Sequence, residues 1–261
     1  MPQKLIIEDD DGNIIDLFPN NIKETENEKE KVNQEKKKKV ITEDLGKIFE
    51  MAICLLYDTS YNGKYKYSME EAFKIKDQIF PLKELFPYML THTAKNGARY
   101  DFTTSSESTE IKYLSAKTTK KGDKVCPQVI GQPSKKKFCQ HFILQDTYDT
   151  PQIKLYIQEN VKKMLEKYFE YTFDCDIIYY NQQRKRILFI KKNSDIDWQQ
   201  YNIEFSHIKN NKEWNESTTI SIDGDSIGEF QVHNHRDNIK FRWCFEKLLD
   251  YFKDKFEIVH I

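Results

Sequence analysis

Several chemistries are excluded by what this 261-residue sequence lacks. There is no run of about 18 apolar residues, so no segment reads as a membrane span. The opening "MPQKLIIEDDDGN" has acids where a signal peptide would have its apolar region. Five cysteines are scattered singly, at Cys54, Cys126, Cys139, Cys175 and Cys244. No Cys-x-x-Cys pair occurs and the number is odd, which argues against a disulfide scaffold or a structural zinc and for a reducing, cytoplasmic setting. Glycine occurs only eight times, with neither Walker nor dinucleotide-fingerprint spacing. No Gly-x-Ser-x-Gly elbow is present. Net charge is −1, so the total points to no partner and only the distribution of charge can.

What is present is a chain with 38% hydrophobic, 13% aromatic and 32% charged residues, enough for a sizeable core. Residues 1–41 form an N-terminal segment that ends in the low-complexity stretch "KETENEKEKVNQEKKKK" (23–39). That stretch is too polar to offset its ordering entropy and reads as a linker or a solvated helix. Residues 42–261 read as a single domain. A helix is predicted from Thr42, with Leu45, Ile48, Phe49, Ala52, Ile53 and Leu56 on one stripe. Shorter helices are predicted at 69–79 and 82–92, and strands at 98–103 and 108–114. A lysine-rich loop runs to about 137. A long helix follows over 151–171, with Ile153, Ile157, Val161, Met164, Leu165, Tyr168 and Phe169 as its apolar face. Residues 175–192 suggest a β-hairpin around "NQQRK", and strands are expected near 201–207, 217–222 and 228–233. Phe245, Leu248, Leu249, Phe252 and Phe256 mark a C-terminal helix. This order predicts an α/β fold, a mixed sheet flanked by helices.

The stretch "YDFTTSSESTEIKYLSAK" (100–117) carries the chemistry. Side chains alternate across a strand, so Glu110 and Lys112 should share a face, and pairing of the two strands would bring Asp101 near Glu110. Two convergent carboxylates suit Mg²⁺, and a lysine beside them could orient or deprotonate a water. A salt-bridged strand face would give the same letters. The pattern Asp101 … Glu110-Ile111-Lys112 resembles the PD-(D/E)xK nuclease superfamily, which includes most type II restriction endonucleases. Tyr100 stands where the family's proline often stands. The family's first core helix, matched by "LGKIFEMAICLLY", often carries an acid near the site, and Glu50 is the corresponding residue. The resemblance implies a restriction-endonuclease-like core and Mg²⁺ held by Asp101 and Glu110. It also implies a homodimer that cuts double-stranded DNA to 5′-phosphate and 3′-hydroxyl ends.

Two further stretches suit DNA. Lys117, Lys120, Lys121, Lys124, Lys135, Lys136 and Lys137 crowd a segment with one acid, Asp123, and suit phosphates, although a solvated loop looks the same. Gln128 and Gln132 within it carry amides that can read adenine edges. In "GEFQVHNHRDNIKFRW" (228–243), Gln231, His233 and His235 should alternate along one strand face, with Asn234 and Arg236 near its end, as a base-reading surface. The letters His-Asn-His are consecutive there, whereas the HNH nuclease motif disperses them, so that resemblance is rejected. A zinc site on His233 and His235 lacks an evident third ligand in the sequence. The expectation is a Mg²⁺-dependent, site-specific endonuclease. The alternatives are a repair or structure-specific nuclease of the same fold, or a non-catalytic DNA-binding or interaction protein.

Overall fold

The computed structural model describes residues 7–8, 14–15, 42–63, 68–94, 98–104, 110–127, 134–145 and 148–261. The chain divides into two units, Met1–Val40 and Ile41–Ile261. In the first, β1 (Ile7–Glu8) and β2 (Ile14–Ile15) pair antiparallel, with Ile7 opposite Ile15. The charged stretch 23–39 lies outside the described residues.

The second unit opens with α1 (Thr42–Leu56), and the predicted stripe from Leu45 to Leu56 is buried. α2 (Met69–Gln78) follows, with the Ser68 hydroxyl accepting from the Glu71 N–H as its N-cap. α3 (Leu82–Leu85) is a single turn, and β3 (Leu90–His92) takes the place of the rest of the helix expected over 82–92. Pro87 explains the difference: it cannot donate to the helix ladder and pushes Phe86 out of helical geometry, to φ −134° and ψ 74°.

β4 (Phe102–Thr104) and β5 (Tyr113–Thr119) come next, then β6 (Lys124–Val125) and α4 (Lys135–His141). The long helix α5 (Thr150–Phe173) starts at a capping box, in which the Asp149 carboxylate accepts from the Gln152 N–H and the Gln152 amide oxygen accepts from the Asp149 N–H. β7 (Asp176–Asn181) and β8 (Arg186–Lys192) form the expected hairpin. After them come β9 (Glu204–Phe205), the single turn α6 (Ser206–Lys209), β10 (Ser217–Ile222), β11 (Asp225–Val232), β12 (Ile239–Cys244), α7 (Phe245–Tyr251) and β13 (Phe256–His260). Phe256, expected on the last helix, instead begins a strand that pairs antiparallel with β8.

The mixed sheet foreseen as one is two. The first has the order β13-β8-β7-β5-β4-β3. Its only parallel pair among the described residues is β5 with β7, joined through α5 as the crossover that parallel strands require. Both faces are covered. Ile178, Tyr180, Ile187 and Phe189 join Leu114 and Phe102 in a core with α1, α2 and α3. Ile177, Tyr179, Leu188 and Ile190 join the apolar face of α5 in the other core. Strands buried on both faces read as continuous apolar runs, which is why "DIIYYN" and "RILFIKK" show no polar alternation.

The second sheet, β6-β12-β11-β10-β9, is antiparallel throughout and packs against α5. Tyr168 of α5 stacks on Phe241 of β12 at 4.4 Å between centroids. The Trp243 indole donates to the Thr172 hydroxyl at 2.8 Å. Gly228 of β11 lies so close to Phe241 that a Cβ there would sit 2.8 Å from its ring atoms.

Candidate active site

The β4–β5 ladder places Phe102 opposite Leu114 and Thr103 opposite Tyr113. Phe102 and Leu114 join the core against α1, and where the ladder continues Asp101 stands opposite Ser115, with Lys117 two residues further along β5. Asp101 lies just ahead of β4, and its Oδ2 accepts the Ala116 backbone N–H at 2.8 Å. Its backbone carbonyl accepts from the Thr93 N–H at 2.8 Å, next to the end of β3. Its neighbour Tyr100 is fixed by stacking on Tyr113 at 4.0 Å and by donating to Asp174 at 2.6 Å. An aromatic clamp thus stands where a proline would have stiffened the chain.

Burial is the largest influence on Asp101 and holds its carboxyl above the ordinary range. The Lys117 ammonium acts against that shift and the Glu50 carboxylate adds to it. Ser115, Lys117 and Asp101 also act on Cys175, whose thiol is pushed up to about 12, chiefly by removal from water. The sequence reading put Lys117 among the phosphate-gripping lysines. The structure also sets it two residues beyond Ser115 on the same strand face, where its charge acts on Asp101.

Glu50 reaches this neighbourhood from α1. It is 5% exposed, with Oε1 2.8 Å from Lys47 Nζ and Oε2 3.0 Å from His92 Nε2. The Asn62 backbone N–H points at His92 Nδ1 at 3.0 Å, so Nδ1 must be the unprotonated acceptor. The proton therefore sits on Nε2 and is donated to Glu50. Tyr61 stacks over the imidazole at 4.8 Å. Nothing in the sequence pattern singled out His92. The only clue was a polar residue at a position whose strand partner, Phe102, is core.

Glu110 and Lys112 are not in this cluster. The expected strand 108–114 begins only at Tyr113, so the two residues lie ahead of β5. Lys112 sits opposite Thr104, its carbonyl accepting the Thr104 backbone N–H at 3.0 Å, which puts it three positions from Asp101 along β4, or roughly 10 Å. The Glu110 side chain is 73% exposed and pairs with Lys112 at 3.3 Å. Lys112 also lies over the Tyr88 ring. Its hydrogen bonds, first to Tyr88 and then to Glu110, raise its pKa and so favour the protonated ammonium over the neutral amine that a general base needs. The register was misread because Thr109, Ile111 and Tyr113 alternate as a strand does, yet Ile111 is exposed rather than core.

The expected DNA-contacting residues divide. Lys121, Lys136 and Lys137 are exposed, and Lys120 is half-buried. Lys135 is half-buried, with its ammonium on the Thr150 hydroxyl at 2.7 Å. Gln128 and Gln132 lie outside the described residues. Gln231 lies on β11 and donates to Glu229, which is also held by Lys124 and Arg242. β11 ends at Val232, so His233 and His235 do not continue its alternation; with Asn234 and Arg236 they belong to the β11–β12 connection, where Asn234, His235 and Arg236 are exposed.

No protein-family profile matches the chain, and no solved structure matches it. Among the described residues, no helix is long and apolar enough to cross a membrane. The sequence is similar to the type II restriction enzyme CviAII of Paramecium bursaria Chlorella virus 1, at 48% identity over 220 residues, which is 84% of this chain and 63% of the relative's length.

Proposed function

We propose that this chain acts as a Mg²⁺-dependent, site-specific endonuclease on double-stranded DNA, as a homodimer, leaving 5′-phosphate and 3′-hydroxyl ends. The observation that carries the reading is the 48% identity to a type II restriction enzyme across most of the chain. The Asp101 cluster supports it with chemistry. Asp101 is held in place by the Ala116 N–H on Oδ2 and by a hydrogen bond from the Ser115 side chain. Glu50 adds a second buried carboxylate to the same neighbourhood, and its present counter-charge is the partly exposed Lys47. Carboxyl oxygens short of positive charge suit a hard divalent cation.

In this proposal Asp101 and Glu50 hold the ion, rather than Asp101 and Glu110. When bound, the ion supplies positive charge to the phosphoryl oxygens and to the leaving group. Lys117 holds and orients the attacking water and offsets charge that develops at phosphorus. His92 keeps the Glu50 carboxylate aimed, through its Nε2–H. The exposed lysines, Lys121, Lys136 and Lys137, grip the backbone.

The test is incubation with plasmid DNA and Mg²⁺, resolved on a gel, for the parent and for Asp101→Asn. Discrete fragments from the parent and none from the variant are expected. Smearing would indicate a nuclease without site preference. A mobility shift without cutting, by parent and variant alike, would indicate a DNA-binding protein and sink the catalytic reading.

A further inference from the structure

One group of side chains takes no part in the Asp101 cluster. Glu216 directly precedes β10, and His233 and His235 directly follow β11. The two strands are antiparallel, with Ser217 opposite Gln231, and the Val232 N–H donates to the Glu216 carbonyl at 2.8 Å. The ladder itself therefore brings the three residues to one end of the sheet. His233 Nδ1 lies 3.2 Å from one Glu216 oxygen, and His235 Nδ1 lies 3.4 Å from the other. Donor atoms of all three lie within 4.8 Å of one another.

We propose that Glu216, His233 and His235 form a binding site for a divalent transition-metal ion of the Zn²⁺ type, which ties the β11–β12 connection to the start of β10. Distance is the first argument. Ligands about 2.1 Å from a tetrahedral Zn²⁺ stand roughly 3.4 Å apart. Each imidazole stands at such a distance from Glu216, on a different carboxylate oxygen, and the three donors lie within 4.8 Å of one another, close enough for a small shift to bring them onto one ion. Chemistry is the second. Two imidazoles and one carboxylate suit Zn²⁺, Co²⁺ or Ni²⁺, whereas Mg²⁺ prefers oxygen alone. Polar satisfaction is the third. His233 Nδ1 is shielded from solvent and has no hydrogen-bond partner, although a Glu216 oxygen lies 3.2 Å away. A metal between them would satisfy the nitrogen and the carboxylate at once.

This site supplies the third ligand that the sequence did not reveal: Glu216 is far from His233 along the chain and adjacent only through the β10–β11 pairing. It also has a structural consequence. The same connection carries Asp237, whose carboxylate accepts from the Lys135 backbone N–H at the start of α4. An ion on His233 and His235 would thus stiffen a segment that also holds the first turn of the lysine-bearing helix.

The inference does not rest on the nuclease reading, and its test needs no DNA. The full chain is stripped with a chelator, dialysed and titrated with Co²⁺, and the visible d–d bands are recorded. The Asp101–Glu50 carboxylates would give only the weak colour of an oxygen-ligated, six-coordinate ion. We expect a strong band that saturates at one equivalent, is bleached by one equivalent of Zn²⁺, is retained in Asp101→Asn and is lost in His233→Ala and His235→Ala. The His235 side chain is 63% exposed, so its removal leaves packing intact, and His235→Ala decides the matter if His233→Ala fails to fold. Absence of the band in the parent, or a band that His235→Ala keeps, would overturn the proposal.

Discussion

Burial acts on Asp101 more strongly than any neighbour and favours its neutral acid. A carboxyl whose native pKa is raised keeps its proton after the unfolded chain, at about 3.9, has lost it. The native state then binds more protons, so stability falls as pH rises from that value to the raised native one. Asp101→Asn removes this penalty and can still accept the Ala116 N–H. It should therefore melt higher than the parent at pH 7.5 without divalent ions, with the advantage shrinking as pH is lowered toward 4. Mg²⁺ should raise the melting temperature of the parent but not of the variant, while cleavage in the variant falls by orders of magnitude. Lower stability of Asp101→Asn at pH 7.5 would mean that the attraction of the Lys117 charge outweighs desolvation. Lys117 and Lys112 are separated by a direct comparison. Lys117→Ala should abolish cleavage, and Lys117→Arg should restore little, because arginine keeps charge but cannot accept a proton near neutrality. Glu110→Ala and Lys112→Ala should cut near the parent rate, as an exposed pair contributes little. The opposite ranking would return the chemistry to the Glu110-x-Lys112 pair.

At the scale of elements, legibility followed period and length. The helices α1 and α5 span 15 and 24 residues, long enough for a 3.6-residue repeat to stand out, and their stripes are the buried residues. β4 has three residues and could not declare its register, so the Asp101 pairing was misplaced by several positions along β5. That slip explains why Lys117, which acts on the Asp101 carboxyl, was read only as a lysine in a basic run. His92 was invisible because its role depends on α1 and on Asn62, far away in sequence. β12 was missed because "IKFRWC" follows a polar connection and half its side chains pair with residues unknown until the sheet forms. Gly228 was equally silent. Its close approach to Phe241, which is fully buried and cannot yield, predicts that Gly228→Ala destabilises the fold by about 1–3 kcal/mol, read as a lowered urea midpoint. An unchanged midpoint would show that β11 and β12 can separate to admit a methyl group.

At the scale of the whole molecule, 41 basic and 42 acidic residues nearly cancel, so the DNA affinity proposed above would have to come from where the charges stand. Many of the acids are already paired or buried: Glu246 is held by Arg184 and Arg186, and Glu229 by Lys124 and Arg242. On α4, Lys136 and Lys137 are exposed, whereas Lys135 is committed to Thr150 and, through its backbone, to Asp237. Lys136→Ala with Lys137→Ala should therefore weaken binding to every sequence alike and leave the fold intact. It should flatten the dependence of log K on log salt by up to roughly 0.9 for each phosphate no longer neutralised. Asn234 carries no charge and stands exposed on the β11–β12 connection. If that connection reads base edges, Asn234→Ala should leave the salt slope unchanged and narrow the gap between cognate and random DNA by about 1–3 kcal/mol. Both quantities come from one set of binding isotherms, taken in Ca²⁺ across a salt series on cognate and scrambled duplexes. Equal weakening on the two duplexes for Asn234→Ala would show that this connection does not read sequence. Recognition would then have to lie elsewhere in the chain, with the 181–186 hairpin turn the next place to substitute.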